Sequence, residues 1–191
     1  QVVANGLVGA LLAVVAVAAP GPLPFAGFVG AMASATADTS APEIGLLSKL
    51  PPRMVTSGQP VRPGTSGAIT PLGSAAAAAG GVFIGFTALV ALAASSWAGG
   101  YGVESTAVHL LIVAPVAGLS GSAVDSVLGA TVQAVFRCPR CEKETERQIH
   151  SCGTPTRLVR GWSWLSNDLV NLAASAAGAM VGMTVQAFFL L

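Results

Sequence analysis

Charge is scarce in this sequence. Only 9% of its 191 residues are Asp, Glu, Lys or Arg, against roughly a quarter in an ordinary soluble domain, so water would solvate its surface poorly. Aromatic residues make up 6%, and no basic stripe is interleaved with them, which excludes nucleic acid as a partner. Cysteines number three, so a disulfide would leave one thiol over. No full Walker A spacing occurs. The chain opens on Gln1, and its first apolar run has no charged leader. That run therefore reads as a truncated span rather than a signal peptide, with one or more earlier helices expected before it.

What is present is apolar. Hydrophobic residues reach 53%, mean hydropathy is +0.72, and 23 glycines with abundant alanine suit the small-residue contacts of helices packed in lipid. Apolar stretches run Val2 to Ala19, Leu23 to Ala37, about Ala68 to Ala98, about Thr106 to Phe136 and Leu169 to Leu191. A hydrocarbon core of ~30 Å takes about 20 helical residues, so the second is short and the third and fourth are long. The expectation is an all-α membrane bundle of five spans, some broken, forming one domain over 1–191. Bends are expected at Gly80-Gly81 and at Gly118 to Gly121, because glycine weakens a helix.

All nine basic residues fall in two connections. Lys49, Arg53 and Arg62 lie between Asp38 and Ser66, while Arg137, Arg140, Lys143, Arg147, Arg157 and Arg160 lie between Arg137 and Asn167. Five spans place both connections on one side, which the positive-inside rule makes cytoplasmic, with the plasma membrane as the expected location. Ala35-Thr36-Ala37-Asp38-Thr39 and Ser122-Ala123-Val124-Asp125-Ser126 echo each other, as a repeat of helix pairs or chance likeness between Ala-rich helices would produce.

An ionisable group at membrane depth is costly and is usually placed facing a polar cavity. Asp38 closes the second span and Glu43 follows. Asp125 sits ~18 Å up a straight helix from Arg137, on a small polar face with Gly118, Ser122, Gly129 and Gln133. It can serve a site or a structural interhelical hydrogen bond. Asn167, Asp168 and Asn171 open the fifth span on one side, where Asp168 can equally be an N-cap. Converging carboxylates suit magnesium shared with a substrate's phosphates. Arg62-Pro63-Gly64-Thr65-Ser66-Gly67 is either an ordinary turn before a helix or one that offers backbone N–H groups to an anion, with Arg62 as charge partner. Cys138-Pro139-Arg140-Cys141 followed by His150-Ser151-Cys152 gives two short ligand pairs separated by eight residues, the pattern of a structural zinc site in an insert over 137–160. A disulfide and unliganded thiols are the competing readings.

Three stretches resemble the membrane family catalogued as domain of unknown function 92, which includes phytyl-phosphate kinase and transmembrane protein 19. The first is Ala37-Asp38-Thr39-Ser40-Ala41-Pro42-Glu43-Ile44-Gly45 with Gly64-Thr65-Ser66-Gly67-Ala68. The second runs from Gly118 to Gln133 around Ser122 and Asp125, and the third is Asn167-Asp168-Leu169-Val170-Asn171. The Cys/His insert is similar to that of archaeal members. The resemblance implies a kinase that converts a prenyl monophosphate to the diphosphate using a nucleoside triphosphate, CTP first among them, and magnesium. Asp38, Glu43 and Asp125 would bind metal or position phosphate. Gly64, Thr65 and Gly67 would cradle it, with Ser122 alongside, and Asn167, Asp168 and Asn171 would complete the mouth. Relative to the family pattern, Ser40, Pro42, Ser66 and Ala68 are departures, and Pro42 should break a helix through the first motif. The rival class is a transporter or lipid carrier, which needs polar residues continuing to the outer face. There, Glu104 and His109 are nearly all the sequence supplies.

Overall fold

The computed structural model describes residues 2–100 and 105–191. Glu104 lies outside them. Among the described residues five helices occur: α1 (Val2–Ala18), α2 (Pro22–Gly45), α3 (Pro71–Ala98), α4 (Leu110–Thr131) and α5 (Asn167–Phe188), with a 3-10 segment, Ser105–His109, leading into α4. Between α2 and α3, β1 (Arg53–Met54) pairs antiparallel with β2 (Ala68–Ile69). Between α4 and α5, β3 (Val135–Arg137) is the central strand of a sheet with β4 (Glu144–Thr145) and β5 (Arg157–Arg160). Both connections therefore leave from one end of the bundle, and all nine basic residues gather there.

Helix α2 is the hub, packing on α1, α3, α4 and α5. Small residues let it approach so closely. Ser34 Oγ donates to the Ala174 carbonyl of α5 at 3.0 Å, and a side chain at Gly121 or Gly178 would collide with Ser34. Val29, Ala33, Leu110 and Ala114 form a buried core between α2 and α4. Outward surfaces of α1 and α3, with Leu11, Val14, Phe83, Phe86 and Val90, stay exposed, as lipid-facing residues should.

The expected all-α membrane bundle is what the described residues form, with a helix for each of the five apolar runs, though the details differ. Of the five expected spans, α3, the segment Ala107–Thr131 and α5 are long and apolar enough to cross a membrane among the described residues. The helix α1 is apolar but only 17 residues long. By contrast α2 has the length, at 24 residues, but carries Asp38 and Glu43; surrounded by four helices, it has little need of an apolar surface all round. Helices α3 and α4 run uninterrupted through Gly80-Gly81 and Gly118 to Gly121. At these glycines the helices also approach closely: a Cβ on Gly81 would stand 2.6 Å from the Pro115 Cα. The breaks in the fourth apolar run fall at its ends, in the 3-10 segment and in β3.

Pro42 does not stop α2, which continues to Gly45. The proline removes only the amide that would bond the Asp38 carbonyl, close to the helix end where little ladder remains to lose. Packing of this last turn on the start of α3 supports it: a Cβ on Gly45 would stand 3.1 Å from Thr70 Oγ1, and one on Gly73 2.7 Å from the Ala41 carbonyl. Asp38 thus lies inside the helix rather than at its end. Ala68, one of the departures from the family pattern, sits in β2, where extended backbone suits it.

Candidate functional site

Asp38 is seven residues from the end of α2 and Asp125 six from the end of α4, about 10 Å inward for each at ~1.5 Å per residue. The chain leaves α4 at Thr131 instead of continuing to Arg137, so Asp125 is shallower than a straight helix predicts. Matched depth on neighbouring helices brings the two carboxyls into hydrogen-bond contact. Two carboxylates can stand that close only with a proton or a cation between them. Oδ2 of Asp125 is buried and has no hydrogen-bond partner.

The pair opens on a cavity of about 770 Å³. From the sequence-derived set, Asp38, Glu43, Gly64, Thr65, Gly67, Ser122, Asp125, Asn167 and Asn171 line it. Its apolar wall includes Leu46, Leu50, Val55 and Leu119. A second cavity of about 620 Å³ adjoins it, lined by Glu144, Arg147, Ser166 and Asp168 among others. Gly64, Ser66, Glu146 and Asn167 line both and so form the partition. Asp168 therefore faces the second cavity, and exposed Arg62 lines neither.

The glycine turn is built by its own hydrogen bonds. Thr65 N and Oγ1 both donate to the Arg62 carbonyl, at 3.2 and 2.8 Å, and Ala68 N donates to the Thr65 carbonyl at 3.1 Å. Gly64 and Gly67 have φ of +83° and +81°, which favours glycine at both. Open space surrounds the missing Cβ of Gly64, whereas one on Gly67 would strike the Ala130 backbone.

Three residues that the sequence reading did not assign to the site organise it. Gln133, buried to 1% exposure, donates from Nε2 to Glu146 at 2.9 Å and to Asn167 Oδ1 at 3.3 Å, and accepts from Ser66 Oγ at 3.3 Å. Glu146, immediately after β4, is near enough to Asp38 and Asp125 to repel both. Desolvation of its carboxyl raises its pKa, opposed by the Gln133 amide. Arg160, at the end of β5, donates to the carbonyls of Ser66 at 3.2 Å and Gly129 at 3.0 Å. Helical spacing already put Gln133 on the face of Asp125. Nothing distinguishes Glu146 or Arg160 among the charged residues of the insert except the fold.

A second constellation lies in that insert. The ligand atoms of Cys138, Cys141, His150 and Cys152 all lie within 4.8 Å of one another. Sγ of Cys138 and Cys152 are 3.7 Å apart, and His150 Nδ1 is 3.1 Å from Cys152 Sγ. A tetrahedron with metal–sulfur arms of ~2.3 Å has an S···S edge of about 3.8 Å, so the cluster could bind a metal such as zinc. Among these thiols, hydrogen bonding with Thr154, then His150, lowers Cys152 to about 5, while the hydrogen bond with Cys152 pushes Cys141 up to about 11. A central cation would allow all to ionise.

Comparison with known proteins agrees with this architecture. The match to the family described as integral membrane protein DUF92 covers residues 1–179. Protein PGR of Arabidopsis thaliana is 34% identical over 152 residues, 78% of this chain and 50% of the relative. An uncharacterized membrane protein of Methanocaldococcus jannaschii is 27% identical over 97% of this chain and 60% of its own length, and one of Synechocystis is 27% identical over 84% and 48%. The chain thus spans about half the length of these relatives. No solved structure matches it. With a family match over nearly its whole length, the chain belongs to the DUF92 family of integral membrane proteins.

Proposed function

We propose that this chain carries the site of a membrane kinase that phosphorylates a prenyl monophosphate to the diphosphate, with a nucleoside triphosphate such as CTP as donor and magnesium as the divalent cation. The observation that carries the reading is the contact between Asp38 and Asp125 in a cavity walled on one side by apolar residues and on the other by the glycine turn. An oxygen-only pair with an unpartnered lobe suits a hard cation shared with phosphates. Magnesium, when bound, would neutralise phosphate charge as it shifts during transfer.

The chain's own residues do the rest. Asp38 and Asp125 would hold the cation, with Glu43 at the cavity's exposed rim. Thr65 N and Ala68 N are engaged within the turn, so an anion would be met by the amides of Gly64, Ser66 and Gly67. Ser122, Asn167 and Asn171 offer neutral polar contacts, and Asp168 faces the adjoining cavity. The acceptor's phosphate oxygen attacks the γ-phosphorus, the bond from γ-phosphorus to the bridging oxygen breaks, and the nucleoside diphosphate leaves. That acceptor is already an anionic nucleophile, so positioning and charge neutralisation suffice without a protein base. The prenyl chain would lie along Leu46, Leu50, Val55 and Leu119. Gathering of the basic residues at this end supports a cytoplasmic orientation in the plasma membrane, and the Cys/His cluster, closed by four ligands, suits structural zinc in a 137–160 insert of one membrane domain.

The test is incubation of purified, detergent-solubilised protein with prenyl phosphate, magnesium and each of the four nucleoside triphosphates. Prenyl diphosphate is the expected product, and none from any donor overturns the reading.

A further inference from the structure

We propose that the Cys/His insert is a clamp that builds the partition of the acidic cavity, with Glu146 and Arg160 as the positioning residues that tie it to the glycine turn. The inference rests on the reading above only in taking that cavity as the seat of chemistry.

The path from cluster to cavity is short. Cys138 directly follows β3, the central strand, so anchoring it fixes both neighbouring strands through the ladder. On one side Phe136 pairs with Thr145, the residue before Glu146; on the other Val135 pairs with Arg160. Cys138 N also donates to the Lys143 carbonyl at 2.9 Å, closing the turn between β3 and β4. Glu146 and Arg160 then leave the sheet and reach the same turn from two directions. Glu146 accepts from Gln133, whose Oε1 takes the Ser66 hydroxyl, while Arg160 holds the Ser66 carbonyl. Ser66 is thus gripped by side chain and by backbone, and both grips trace back to the insert.

Strands of two to four residues cannot hold this arrangement alone, because such a sheet has no hydrophobic face large enough to order it. Four ligands converging on one point would supply the missing order. The cluster's occupancy therefore sets whether Ser66, Gly67 and Glu146 stand where the cavity needs them.

The experiment reads hydrogen exchange along the whole purified chain, zinc-loaded, chelator-stripped and zinc-restored, with Arg160→Gln in loaded protein as the variant that leaves the cluster intact. Stripping is expected to speed exchange at residues 64–68 at least tenfold, reversibly, while the α3 amides keep their protection. Arg160→Gln is expected to speed exchange at the same turn with zinc still bound. Unchanged exchange at 64–68 on stripping, or a turn indifferent to Arg160→Gln, overturns the clamp. Manganese titration followed by electron paramagnetic resonance is run on the same samples: loaded protein should bind at least tenfold tighter than stripped, and equal affinity in the two also overturns the clamp's effect on the site. Absence of manganese binding in every form, with the exchange response intact, would count against the kinase reading and leave the clamp standing.

Discussion

Two candidate ligand clusters sit at the same end of this molecule and differ in donor chemistry, in closure and in how far apart in sequence their residues lie. The Cys/His cluster is closed: four donors within 4.8 Å, three thiol sulfurs and an imidazole nitrogen, contributed by one short segment. The aspartate pair is open: two hard carboxyls from α2 and α4, an unpartnered oxygen, and a large cavity beside them. A closed set gains its free energy once, in holding the chain; an open set keeps a coordination position for a passing ligand. The difference teaches that sequence-local residues gather the closed cluster and sequence-distant ones the open pair, which on the proposed reading makes the first a scaffold and the second the site.

The largest effect that could break this contrast is on transfer. Asp125→Asn should lower prenyl diphosphate formation about a thousandfold, a magnitude typical of losing one preorganised group that meets developing charge, with helix content by circular dichroism unchanged. Retained activity would make the pair a structural contact. Next, Cys138→Ser should weaken zinc affinity beyond the roughly 10–100-fold cost of losing even an outer partner of a metal ligand, measured by competition with a chromophoric chelator.

Smaller effects sharpen the picture of what surrounds the open site. Gly67→Ala meets both a positive φ and the Ala130 backbone, so it should destabilise the folded protein by about 2 kcal/mol or more in chemical unfolding; Gly64→Ala, with the same φ but open space, should cost about 1 kcal/mol. Equal costs would show that Ala130 yields. Smallest of all, Ser34→Ala removes the hydrogen bond to Ala174 between α2 and α5 and should cost about 0.6 kcal/mol by unfolding in detergent.

Much of this was legible beforehand, for identifiable reasons. Cys138 to Cys152 are close in sequence, so spacing alone suggested a shared centre. Asp38 and Asp125 stood out because acids are rare in apolar runs, and their common cavity needed only successive helices alternating in direction, so that α2 and α4 end on the same side. Gln133 was visible on the face of Asp125 without its role as connector. Arg62 drew attention through proximity in sequence, whereas the fold delivers Arg160 from 94 residues away to the Ser66 carbonyl. Helix continuity through Pro42 and the paired glycines was illegible locally, since the deciding contacts belong to neighbouring helices rather than to the residues themselves.

The central position of α2 has a mechanical consequence. A rod wedged among four neighbours by glycine- and alanine-sized contacts has almost no room to tilt, and the carboxyl of Asp38 rides on it. On the kinase reading proposed above, admission of substrate and departure of product would therefore fall to the two connections that cap this end. During turnover, motion should be concentrated in the stretches 46–70 and 132–166 while the bundle beneath them stays still.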